Sequence, residues 1–301
     1  MVGRLRRLNG VVSIFQIGSV GNPGISDIDM LVVFEDGAIC NLNPLTGLSR
    51  TERYLFSHNL YAVLRKQFFD AQKYTFFHNY NLLWGKELPI GTSDLSEEEI
   101  QALKTQIALE YLIRMFVNST VEHIYSIIRV RGILVLVKAL SYDLEFLNVS
   151  SGGLFDLIQT VIGWRDHWFK KKPDEKTIKN WFMEFCKELM TFLKIELSRR
   201  TFYLPEDANL CIARNMMIEL SETFGYAHEG IRLPSFLGGL GRKYFNMMHR
   251  FNRFSFQIPA AVSNIPDVLN DRFVFARQIK RANNDSLSCF MPLTSSLNIF
   301  S

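Results

Sequence analysis

Long apolar runs are missing from this sequence, and with them the simplest route into a membrane. No stretch approaches the ~20 uninterrupted apolar residues that span a bilayer, and the longest candidate, Ile133 to Val137, is closed by Lys138. Cysteine is scarce. Cys40, Cys186, Cys211 and Cys289 stand far apart without the paired spacing of a metal finger, so reduced thiols are the expectation. An excess of charge of either sign is also lacking. The formal net charge of +4 allows a nucleotide or nucleic-acid partner without demanding one. There is no internal repeat and no low-complexity tract. The N-terminal Met1 to Arg7 is basic, but the apolar run behind it is too short and too β-like for a signal peptide. The chain therefore reads as soluble and cytoplasmic, with no membrane partner.

What is present is core material. Of 301 residues, 48% are hydrophobic and 25 are Phe, enough for one large or two ordinary domains. Val11 to Ile17 and Asp27 to Phe34 are apolar and β-branched and read as strands. Thr51 to Phe69 carries helical periodicity, and the aromatic-rich Lys73 to Leu83 reads as a third strand. Composition shifts near Gly91. Ser96 with Glu99 three residues on forms a capping box at a helix start, and the pattern stays helical to about Ser198. The expected helices are Glu97 to Asn118, Val121 to Leu147, Ser151 to Trp168 and Asp174 to Arg199. Further on, Ala208 to Phe224 and Arg272 to Ala282 also look helical. The fold class implied is α+β: a mixed-sheet domain over residues 1–90, then a larger α-helical domain over 91–301 with a further boundary near residue 200.

One short stretch carries most of the chemistry. A strand ends in Ile17-Gly18-Ser19, a loop of small residues follows, and the next strand opens with Asp27-Ile28-Asp29. Residues two apart on a strand share a face, with Cα atoms about 6.6 Å apart, so both aspartates should stand side by side. Two carboxylates on one rigid edge suit Mg²⁺, which prefers oxygen ligands and shares its coordination with substrate phosphates. Gly18 lets the backbone approach a phosphate, and Ser19 offers a hydroxyl beside it. The plainer reading is a tight turn with solvated aspartates.

From Ile17 to Val33 this pattern resembles the signature of the polymerase-β-type nucleotidyltransferase superfamily, in which a strand ending in Gly-Ser is followed by a loop and a strand carrying Asp-x-Asp. The resemblance implies an active site between the two domains. It also implies Mg²⁺-dependent transfer of a nucleoside monophosphate from an NTP to an acceptor, with release of pyrophosphate. Asp27 and Asp29 would then be catalytic metal ligands, and Gly18 and Ser19 would cradle phosphate. The chain departs from the family in lacking a third carboxylate on the expected strand at Tyr74 to Asn81, where His78 is the only titratable alternative to the tyrosines. Glu87 follows shortly after. This departure leaves open a one-metal enzyme, a base supplied from the helical domain, or a protein that binds nucleotide or another partner without turnover.

In the helical region Lys138 interrupts an apolar face and needs a partner, either a phosphate or an internal acid such as Asp143 or Glu110. Arg129 and Arg131 draw notice beside it, and Glu110 and Glu122 are candidate bases. A small-molecule acceptor fits the modest charge and the scale of the helical domain. An RNA acceptor such as a tRNA end would need the basic and aromatic segment Arg242 to Arg253 exposed and contiguous with the cleft. That segment also reads as an amphipathic helix with Tyr244, Phe245, Met248 and Phe251 turned inward.

Overall fold

The computed structural model describes residues 1–18, 20–22, 24–56, 58–76, 79–91 and 94–294. The protein is mixed α/β, 48% helical and 16% strand. In chain order its first elements are α1 (Val2–Leu5), β1 (Val11–Ile17), β2 (Asp29–Phe34), α2 (Arg50–Tyr54), β3 (Tyr61–Leu64), α3 (Phe68–Thr75) and β4 (Asn81–Gly85). Four longer helices follow: α4 (Glu97–Ile124), α5 (Val130–Phe146), α6 (Gly153–His167) and α7 (Glu175–Arg199). Then come β5 (Cys211–Ala213), β6 (Met216–Leu220), β7 (Gly225–Gly230), α8 (Gly238–Lys243), α9 (Phe245–Met248) and β8 (Asn252–Ile258). The chain closes with α10 (Asp267–Ser286) and β9 (Met291–Pro292). None of the described helices is long and apolar enough to cross a membrane.

Two compact units emerge. The first is Met1–Leu103 together with the described residues from Asp267 on, and the second is Lys104–Pro266. The first unit is built on a five-stranded sheet of order β4-β1-β2-β3-β9. β1 is antiparallel to both β2 and β4, while β2 and β3 run parallel, as do β3 and β9. The central strands are apolar on both faces because both faces are covered, the usual state of an interior strand. On one side Phe15 stacks on Phe68 of α3 at 5.3 Å. On the other, Ile14, Met30, Val32 and Phe34 pack with Leu5, Leu287 and Phe290.

The second unit holds α5, α6 and α7, most of α4, and a second sheet of order β5-β6-β8-β7. β6 is parallel to β8 and β7 is antiparallel to it. Phe116 of α4 lies against Phe224, Tyr226 and Phe256, so the sheet's apolar side is covered by that helix.

Several local expectations hold. The Ser96 hydroxyl accepts from the Glu99 amide and the Ser96 amide donates to Glu99, as the capping box requires. Asp174 caps α7 by accepting from the Thr177 amide.

Others are corrected. The expected helix over 51–69 is the short α2, then β3, a 3₁₀ turn and the start of α3. Tyr61 to Leu64 is a strand buried on both faces, whose unbroken apolar run cannot be told from a helix by periodicity. The expected strand over 73–83 is instead the end of α3, stopped at Phe76 in the left-handed region (φ 50°), and then β4. The expected helix over 208–224 is the β5–β6 hairpin, held by β6 pairing with β8 some forty residues later. The region from 91 on is thus not purely helical, and its last part does not stay there. α10 and β9 return to the first unit, where Arg272 Nε donates to the Tyr74 carbonyl at 3.2 Å and the Met291 amide to Leu60 at 2.8 Å.

Candidate functional site

The antiparallel register of β1 and β2 sets Ile17 opposite Asp29. Gly18, the next residue, takes a left-handed φ of 71°, and a β-carbon there would stand 3.6 Å from Asp29 Oδ2. The backbone therefore turns away from the strand directly against this carboxylate, in a conformation that suits glycine. The following loop is closed by its own hydrogen bonds, with the Ile25 and Ser26 amides donating to the Asn22 carbonyl at 3.0 Å. The Tyr54 hydroxyl donates to the Gly24 carbonyl at 3.0 Å. The Ile28 amide donates to the Leu55 carbonyl at 2.8 Å, which fixes the backbone between the two aspartates. Asp29 is the first residue of β2, and Asp27 precedes the strand; both are half-buried.

The third member of the cluster is His58. Its Nε2 lies 2.9 Å from Asp29 Oδ1, and its Nδ1 lies 2.6 Å from the Asn59 carbonyl. Side-chain ligand atoms of Asp27, Asp29 and His58 all fall within 4.8 Å of one another. Burial alone would lower the His58 pKa, but the hydrogen bonds to Asp29 and Asn59 and the charges of Asp29 and Asp27 together raise it. The geometry says the same. Both ring nitrogens face oxygens that only accept, so with Nδ1–H donated to Asn59, a proton or a cation must lie beside Nε2.

The donor chemistry fits a divalent metal. Adjacent ligands on a small octahedral cation stand about 3 Å apart, close to the His58–Asp29 separation. An Nδ1–H bond to a backbone carbonyl is the arrangement that orients a ligating histidine. A cation held there would supply positive charge to a phosphate lying along the Gly18 turn.

Sequence reasoning missed His58 because the strand beside β2 was sought at 73–83, whereas it is β3. The local cue is slight: a histidine three residues ahead of the short apolar strand β3, which nothing nearby marks as the neighbour of β2. Ser19 and His78 lie outside the described residues. Glu87 is exposed beyond β4.

The remaining candidates belong to the second unit. Lys138 is half-buried on α5, with Nζ 6.0 Å from the Tyr142 ring centre. Glu110 is fully buried and accepts from Gln106 Nε2 at 2.9 Å. Glu122 Oε1 pairs with Arg129 Nε at 3.1 Å. Burial raises the Glu122 pKa, and Arg129 only partly offsets this. The segment Arg242 to Arg253 is not one amphipathic helix. It passes through α8 and α9 into β8, burying Met248 and half-burying Phe245, while Arg242, Lys243, Tyr244, Arg250, Phe251 and Arg253 are exposed.

Compared with family models, curated proteins and solved structures, the chain finds no match.

Proposed function

We propose that the protein is a cytoplasmic, divalent-metal-dependent nucleotidyltransferase, moving a nucleoside monophosphate from an NTP to a hydroxyl or phosphate of a small-molecule acceptor with release of pyrophosphate. The observation that carries this reading is the meeting of the Gly18 turn with the carboxylates of Asp27 and Asp29 at the end of one antiparallel strand pair. In this reading Asp27, Asp29 and His58 hold the metal, Mg²⁺ being the ion the carboxylates suit best. The Gly18 turn lies against the phosphates, and Ser19 is the hydroxyl donor the sequence supplies next to it. The metal contributes charge neutralisation and orientation of the triphosphate. His58 takes the place of the missing third carboxylate, from the loop just ahead of β3, the strand next to β2.

A second reading has its own observation. His58 already neutralises part of Asp29 within the protein, an arrangement that also suits a nucleotide- or partner-binding module without turnover. The exposed cations and rings between Arg242 and Arg253 add RNA to the acceptors worth testing.

The test is transfer of label from α-labelled NTPs, with Mg²⁺ or Mn²⁺, to a small-molecule pool or to total tRNA. An Asp27→Asn, Asp29→Asn double variant serves as the control. Label on a small molecule that disappears in the double variant supports the proposal. Label on tRNA moves the acceptor to RNA. Nucleotide binding by calorimetry with no transfer to either pool would leave the binding module standing and remove the enzyme.

A further inference from the structure

A cavity of about 400 Å³ opens within the second unit, walled by α4, α5 and α7. Its walls are apolar and aromatic: Leu136 and Val137 from α5 face Trp181 and Phe185 from α7, whose rings stack at 5.0 Å. Gly132 also lines it, so the wall there carries no side chain. Cavities of this size and character are the usual form of small-molecule sites, in which a few placed polar groups set specificity.

The polar residues lining it are Glu122, Arg129, Asn118, His249 and Ser119, whose hydroxyl is already donated to the Phe116 carbonyl. Glu122 and Arg129 are already paired at 3.1 Å, and the guanidinium is held over the Phe245 ring at 5.7 Å. A ligand anion drawn to Arg129 would meet the Glu122 carboxylate beside it, and a ligand cation drawn to Glu122 would meet the guanidinium. Charge of either sign is therefore selected against. His249 Nδ1 lies 3.1 Å from both the Tyr125 hydroxyl and the Asn215 side-chain amide. Since that amide nitrogen only donates, Nδ1 accepts and the ring's proton sits on Nε2. Burial lowers the His249 pKa, which agrees with a neutral ring. The polar edge thus offers donors from His249 and Arg129, an acceptor from Glu122, and both from Asn118.

We propose that this cavity binds an uncharged molecule with a flat, mainly apolar body and an adjoining donor and acceptor, the pattern of an aromatic carboxamide. The site lies wholly in the second unit and does not depend on the nucleotidyl-transfer reading. Failure of the labelling assay leaves it unchanged.

The test is a calorimetric titration of the full chain with three probes of one size: 2-naphthamide, 2-naphthoate and 2-naphthylmethylamine. The amide is expected to bind one-to-one and saturably, at least tenfold more tightly than the anion or the cation. Gly132→Leu and Leu136→Phe each narrow the cavity and are expected to weaken the amide at least tenfold, with melting curves confirming the fold. Glu122→Gln removes the carboxylate and should improve 2-naphthoate relative to the amide. No saturable binding of the amide overturns the proposal, as does equal affinity across the three probes. So does unchanged binding in either narrowed variant that remains folded. If both variants lose their fold, a crystal of the wild-type chain soaked with 2-naphthamide decides: density in this cavity supports the site, and density elsewhere overturns it.

Discussion

Asp143 illustrates what a single buried residue costs. It lies on the buried side of α5, 6% exposed, with Oδ2 making no hydrogen bond. Burial raises its pKa well above the ordinary 3.8. In the unfolded chain the carboxyl ionises above that value, while in the folded chain it keeps its proton. The folded state therefore binds more protons, and stability falls as pH rises from about 4 until the buried carboxyl itself ionises. Asp143→Leu should accordingly stabilise the protein, by about 1–3 kcal/mol near neutral pH and by less at pH 4. Denaturant midpoints at the two pH values check this, and a gain that does not change with pH would refute it. His58 is the residue-scale test of the proposed metal site. If its imidazole is a ligand, His58→Ala should weaken Mn²⁺ binding at least tenfold and Mg²⁺ binding less, because Mg²⁺ is the harder ion, sheds its water reluctantly and gains little from a nitrogen donor. Electron paramagnetic resonance and competition titrations read both. Equal losses for the two ions would mean that the histidine supports the site without ligating.

At the level of elements, the sheet of the first unit depends on close approach at β4. Gly85 has φ 102°, and a β-carbon there would collide with the Val12 carbonyl oxygen. Neither the conformation nor the space admits a side chain. Gly85→Ala is expected to destabilise the fold by more than about 2 kcal/mol, through backbone strain and displacement of β4 from β1. A loss under about 0.5 kcal/mol in a denaturant melt would show that the strand pair tolerates the shift. Helix ends tell a milder story: Ser96 and Asp174 cap α4 and α7, and such caps are worth about 1 kcal/mol each. The caps were legible because capping is local, a matter of three or four consecutive residues. β3 was not legible, because a strand buried on both faces shows no alternation and its only signature is its neighbour across the sheet.

At the scale of the molecule, the first unit is discontinuous. β9 pairs with β3, Leu287 and Phe290 just after α10 join the core of Leu5 and Ile14, and α10 itself buries Arg272, Phe273 and Ile279. Removing residues 267–301 should therefore unfold the first unit and abolish the proposed metal binding at Asp27, Asp29 and His58, even though all three remain in the chain. Loss of one unfolding transition, together with loss of Mn²⁺ binding, is the expected result. Retained Mn²⁺ affinity in the truncated chain would show that the sheet closes without its last helix and strand.

Read alone, the amino-acid order determined what neighbours along the chain can settle. That covers the turn at Gly18, the closeness of Asp27 and Asp29 around the start of β2, the caps of α4 and α7, and the lack of an apolar run of about 20 residues. Tertiary structure decided which strand lies beside β2, and therefore that His58 rather than a third carboxylate meets the aspartates. It also decided that β6 is a strand, and that the end of the chain completes the beginning. The division is physical. Caps, turns and alternation act over a few residues, whereas sheet partners are chosen by burial between segments dozens or hundreds of residues apart, and nothing local records that choice.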